Sequence, residues 1–195
     1  AMDAEQYWTI IAAERRATAD LLATLTEEQW RTPSLAEGWL VRDVAAHLAL
    51  ASQPPSVPAL LRDLLRAWGS FDRMNHDTAV RYAETRRNSQ LADELHDNAE
   101  SRRLPAPTNY KNTLVDVLVH EQDIARPLGI DRPMPLDAAR AGADHVWSMG
   151  FPYRAQRKLR GYRLVATDVD WAAGAGEEVR EPISLLLLHL TGRNL

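Results

Sequence analysis

Asp116, His120 and Asp123 stand at i, i+4 and i+7, a spacing that places two carboxylates and an imidazole in one stripe about 60° wide on a helix. The residues around them call for that helix. Leu114, Val115, Val117, Leu118, Val119, Ile124 and Ala125 cover most of its circumference at about 100° per residue. A helix apolar on so many sides belongs inside a bundle. Ionisable groups on such a helix are costly unless they are paired or coordinate a metal. Pro127 is expected to stop the helix, with Gly129 as the exit residue.

A second histidine carries the same neighbour: Asp43 precedes His47 by four residues, as Asp116 precedes His120. Two helices turning such pairs toward each other offer a mixed nitrogen and oxygen site for a first-row divalent metal. Each residue also has a plainer reading. His47 lies at the edge of the arc formed by Leu40, Val41, Val44, Ala45, Leu48 and Ala51, where a hydrogen-bonded core histidine serves as well. Asp43 is near a helix start, where the dipole alone favours an acid. Asp123 either orients a ligand or pairs with Arg126, and the orienting role is preferred. His76 and His96 are expected to be solvated, and His145 and His189 to be packing residues. Trp39, just ahead of the His47 helix, is the candidate for contact with a bound cofactor.

The elements that must position these residues are mainly helical. Apolar periodicity and capping signals predict helices over 3–25, 26–30, 40–52, 60–68, 71–84, 89–103 and 136–149, besides the central one. Alternation over 162–171 predicts a strand. Gly174 and Gly176 mark a turn, a short strand returns around Val179, and Pro182 opens a last helix through Leu190. The expected organisation is a helical bundle over 1–155 with a small strand–strand–helix appendage over 156–195.

Composition narrows the chemistry. The 195 residues carry a net charge of −4 without a basic tract, which argues against a nucleic-acid partner. No cysteine is present, so disulfides, thiolate metal sites and a thiol nucleophile of the chain's own are excluded. No apolar run approaches the ~18 residues that span a bilayer, and the N-terminus lacks a signal pattern. A cytoplasmic protein, monomeric or homodimeric and without a membrane partner, is expected.

Three segments resemble a known family. Pro33-Ser-Leu-Ala-Glu-Gly-Trp-Leu-Val-Arg-Asp-Val-Ala-Ala-His-Leu48 resembles the first signature of the mycothiol-dependent maleylpyruvate isomerase family, within the DinB-like superfamily. Val115-Asp-Val-Leu-Val-His-Glu-Gln-Asp-Ile-Ala-Arg-Pro-Leu-Gly129 resembles the second, and Leu186-Leu-Leu-His-Leu-Thr-Gly-Arg193 the close of the C-terminal part. The resemblance implies a DinB-like four-helix bundle holding a divalent metal, zinc first and nickel second, on His47, Asp116 and His120. It also implies mycothiol as co-substrate. The chain departs from the family in having Asp116 where the characterised isomerase has glutamate, and its C-terminal part reads as much smaller.

Together these readings point to a metal-dependent, mycothiol-using transferase or isomerase acting on a small electrophile. Arg42, Arg126 and Arg193 are the candidates for contact with an anionic substrate. Two rival classes share the scaffold: a small hydrolase that activates water at the metal, and a non-catalytic DinB-like stress or binding protein.

Overall fold

In the computed structural model, which describes residues 1–105 and 107–195, α1 (Ala4–Ala23) begins where Asp3 and Gln6 cap each other. Tyr7, Ile11, Arg15, Thr18 and Leu22 then recur on its buried face. Thr26 caps the short α2 (Glu27–Trp30) in the same reciprocal way. Next come α3 (Val41–Ala51), α4 (Val57–Arg66), α5 (Phe71–Glu84) and α6 (Asn88–Asp97). The central helix α7 (Tyr110–Ala125) is capped by the Asn109 side chain. α1, α6, α3 and α7 pack each against the next and close a four-helix ring, with α5 outside α3 and α4 outside α5. This is the four-helix bundle that the sequence reading expected.

Helix α7 supplies both halves of the core. Leu114, Val115, Leu118 and Val119 join the apolar cluster shared with α8 (Leu136–Ser148) and the C-terminal segment. Val117, Ile124 and Ala125 join the cluster inside the ring. Burial on both sides is why the apolar positions run almost around the helix.

Helix ends differ from the sequence reading for local reasons. α6 stops at Asp97 rather than near Arg103. Two carbonyls beyond it, those of Ala99 and Ser101, accept hydrogen bonds from the buried Arg15 guanidinium. Pro127 does not end the central helix outright. The chain tightens into a 3-10 turn over Arg126–Leu128, where a missing proline N–H is tolerated. Gly129, at φ 70°, then closes the turn as Ile130 N–H donates to the Ala125 carbonyl.

The C-terminal segment holds α9 (Ala155–Lys158), β1 (Gly161–Ala166), β2 (Ala172–Gly174), β3 (Gly176–Glu181) and α10 (Ile183–Leu190). The expected single strand over 162–171 breaks at Thr167–Asp170, and the chain turns back antiparallel as β2. Asp168 is diverted to accept from the Ile183 N–H at the start of α10. The chain then rounds the start of β1 and returns on its other side as β3, parallel to it, giving the order β2-β1-β3. A Cβ at Gly174 or Gly176 would overlap the carbonyl oxygen of Tyr162 or Gly161. Only glycine permits this wrap.

α10 buries Ile183, Leu186, Leu187, Leu188 and Leu190. It lies on α8 at Gly142, where even an added methyl would touch Leu187. No helix among the described residues is long and apolar enough to cross a membrane.

Candidate metal centre

Two ring helices bring the predicted residues together. α7 presents Asp116 and His120 one turn apart, and His47 reaches them from α3. The His47 Nε2 is 3.1 Å from Asp116 Oδ1 and 3.2 Å from Oδ2. The His120 Nε2 is 3.0 Å from Asp116 Oδ1. One donor atom from each residue can be chosen so that all lie within 4.8 Å of one another. The side chains of His47, Asp116 and His120 are 21%, 26% and 16% exposed, so the cluster is not closed off from solvent.

The donor set and its spacing fit a divalent ion. Ligands about 2.0–2.1 Å from a tetrahedral metal lie about 3.3 Å apart, only slightly farther than the nitrogen–oxygen separations here. Three protein donors also leave a position free for a small molecule.

Behind the cluster stands a second layer of contacts. Asp123, fully buried, accepts from His120 Nδ1 at 2.8 Å. That bond directs the other ring nitrogen, Nε2, toward Asp116. The Arg193 guanidinium grips Asp123 with Nε at 3.0 Å and Nη2 at 2.7 Å. Asp123 therefore pairs with Arg193 from the far end of the chain, and not with Arg126, which donates to Gln122 instead. The Asp123 carbonyl also accepts from Leu35 N–H, tying down the loop that leads to Trp39.

The electrostatics follow from this crowding. Burial works against charge on His120, but the Asp116 carboxylate, then Asp123, holds its pKa up to about 9. Burial likewise opposes ionisation of Asp116, yet the two histidines keep it well below the usual carboxylate range. Asp123 is held low against burial by His120 and Arg193.

The remaining candidates fall in different places. Trp39 meets His47 edge to face, ring centroids 5.9 Å apart. Asp43 accepts from the Leu40 N–H at the head of α3, the capping role its position suggested. Arg42 donates to the Ala83 carbonyl and shares a surface cleft with Glu27, Arg31, Arg86 and Arg87, away from the cluster. His145 bonds Asn112 and His189 pairs with Glu181.

Three residues near the cluster escaped the sequence reading. His76 is not simply solvated: it meets Trp39 at 5.1 Å and bonds the Gly38 carbonyl at 3.0 Å. Arg15 is buried and feels Asp116, which partly offsets the lowering of its pKa by burial. Its place midway along the buried face of α1, four residues after Ile11, was a signal available in the sequence. Tyr153 has its hydroxyl pushed up to about 12 by burial first, then by Asp116, with Asp123 and Asp72 adding and Arg193 opposing. It follows a loop and carries no periodic signal.

Comparison with known proteins bears on the same frame. Residues 11–107 match the family model described as the mycothiol maleylpyruvate isomerase N-terminal domain. The crystal structure of the mycothiol-dependent maleylpyruvate isomerase superposes with a TM-score of 0.66 at 16% identity, over 99% of this chain and 90% of that one. A histidine-to-alanine mutant of that isomerase gives 0.58 at 16% identity, with the same coverage. No curated protein matches the sequence. The coverage corrects one expectation: with 90% of that chain matched, the C-terminal part is not much smaller than the isomerase's. Family signature and end-to-end fold agree, and the chain belongs to the mycothiol maleylpyruvate isomerase family.

Proposed function

We propose that the chain is a metal-dependent, mycothiol-using isomerase or transferase acting in the cytoplasm on a small electrophile, with His47, Asp116 and His120 as metal ligands. The observation that carries this reading is the convergence of His47 Nε2, His120 Nε2 and an Asp116 oxygen on one solvent-accessible cluster. A divalent metal held there, zinc first and nickel second, would lower the pKa of a bound thiol toward neutrality. With no cysteine in the chain, that thiol comes from a small molecule. The similar solved isomerase is named for mycothiol, which supports the same co-substrate here.

The chain's own residues have separable tasks. Asp123 fixes the His120 ring, and Arg193 holds Asp123 in place while neutralising its buried charge. Trp39 packs edge to face on His47, and His76 packs in turn on Trp39. Arg193 is thus assigned a holding role. Arg42 and Arg126, engaged elsewhere, are not assigned to substrate.

Cobalt-loaded protein tests the reading. Addition of mycothiol should produce a thiolate-to-metal charge-transfer band, and Asp116→Ala should abolish it together with metal binding. Loaded protein that shows no spectral response to mycothiol, yet hydrolyses esters without thiol, would sink the proposal in favour of the water-activating hydrolase.

A further inference from the structure

We infer that α4 is a dimerisation face: two copies of this chain pack antiparallel through a stripe made of Val57, Leu61, Leu65 and Trp68. The inference concerns a surface outside the metal cluster and does not depend on its chemistry.

The orientation of α4 is fixed by its other side. Asp63 and Ala67 are turned inward. There Asp63 pairs with Arg81 of α5 at 3.8 Å, and with Arg62 and Arg66 of its own helix at 3.4 and 4.0 Å. Turning the stripe inward would pull Asp63 away from Arg81. Val57, Leu61, Leu65 and Trp68 are therefore left 58%, 56%, 79% and 89% exposed. They stand at i, i+4, i+8 and i+11, on one face of the helix. Four of the eight large apolar side chains exposed among the described residues are in this stripe. Exposed leucines scattered singly are ordinary, whereas a contiguous row marks a contact surface.

Trp68 adds a second sign. Its N–H donates to the Leu65 carbonyl, and the Gly69 N–H to that of Leu64, so Trp68 closes the helix in a left-handed conformation at φ 55°. Glycine is the usual residue at that position, because a Cβ is strained there. Here tryptophan bears the strain, and its exposed ring gains little packing within the chain in return. An aromatic anchor buried at an interface would gain it.

The stripe is complementary to itself. Run antiparallel against a second copy, the large Trp68 meets the small Val57, and Leu61 meets Leu65. A two-fold interface demands this kind of match. Its area also suffices: at these exposures the stripe offers about 550 Å² of apolar surface, so a pair hides about 1,100 Å², above the ~1,000 Å² a specific interface needs. The net charge of −4 disfavours an anionic lipid surface as the occupant.

Sedimentation equilibrium of the full chain up to about 100 μM should give twice the 21.9 kDa of one copy. Leu65→Glu should weaken association by about 100-fold or more, since a carboxylate would be buried unpaired. Trp68→Gly should weaken it by about 10- to 100-fold. Placed in the Leu65→Glu protein, the same change should leave the thermal midpoint equal or higher, because glycine relieves the strain. Both side chains are exposed in one copy, so these variants should fold. The chain has no cysteine; a mixture of Leu61→Cys and Leu65→Cys proteins should therefore cross-link on mild oxidation faster than either alone. A monomer throughout the range, or a dimer indifferent to Leu65→Glu and Trp68→Gly, overturns the inference. A monomer that floats with phosphatidylglycerol vesicles, and loses them on Leu65→Glu, overturns it in favour of a lipid surface.

Discussion

His120 sits between two carboxylates, and its raised pKa makes metal uptake a proton exchange. Below about pH 9 the metal-free imidazole carries a proton that must leave when a metal takes Nε2. Apparent metal affinity should therefore climb about tenfold per pH unit from this group and flatten above about pH 9. Chelator competition across a pH series measures it. His47→Ala or His120→Ala should each lose most of the metal, whereas Asp123→Asn should weaken it about 10- to 100-fold. Asp123 has a second duty, because Arg193 has no other carboxylate partner among the described residues. Asp123→Ala should cost about 3–5 kcal/mol of stability by leaving a buried guanidinium uncompensated, a loss visible in urea unfolding of metal-free protein. Glu14 gives an independent test. Burial, and then the Glu121 charge, push its carboxyl from 4.5 up to about 7, with Arg132 opposing. The folded value lies above the ordinary one, so this group's stabilisation is complete below pH 4.5 and is lost as pH rises through about 7. Glu14→Gln should flatten that decline and make the protein more stable at pH 8 by about 1–2 kcal/mol.

Among the elements, α7 organises the molecule because it is apolar toward two cores and turns Asp116 and His120 toward His47 on α3. Its register alone sets Asp116 and His120 one turn apart, so this half of the cluster needed nothing beyond the sequence. The sheet depends on a different device. β2 passes to β3 around the start of β1 through Gly174 and Gly176, both at positive φ and both against carbonyl oxygen. Gly176→Ala should cost about 2–4 kcal/mol, since the backbone must shift and the residue must hold a left-handed conformation. Thermal unfolding of the variant, against Gly150→Ala as a control with open space at Cβ, separates this cost from a general effect of alanine.

At the scale of the whole molecule, the 156–195 segment supplies packing and one strategic side chain. Ile183, Leu186, Leu187, Leu188 and Leu190 fill the cluster that α7 and α8 share. At about 1.5–3 kcal/mol per large apolar side chain, their removal rivals the 5–15 kcal/mol that typically separates folded from unfolded. We propose that this appendage folds only with the bundle. A chain ending at Gly161 should lose cooperative thermal unfolding and, with Arg193 gone, bind metal weakly if at all. A truncated chain with a sharp transition and unchanged metal affinity would make the segment a separable unit.

The sequence by itself determined most of the helices, because helical periodicity, caps and breakers act within a few residues. It set His47, Asp116, His120 and Asp123 as polar interruptions of apolar faces, and their cost of burial already demanded a partner. Which partner was decided by tertiary structure. Arg126 is three residues from Asp123 and Arg193 is seventy away, yet the fold brings Arg193 to it. Arg15 on α1 and His76 on α5 found their partners by the same route, through packing of segments distant in the chain. The parallel pairing of β3 with β1 was beyond reach for a related reason. Strands of three and six residues carry too little pattern to specify a neighbour, and only closure of the chain around β1 fixes their order.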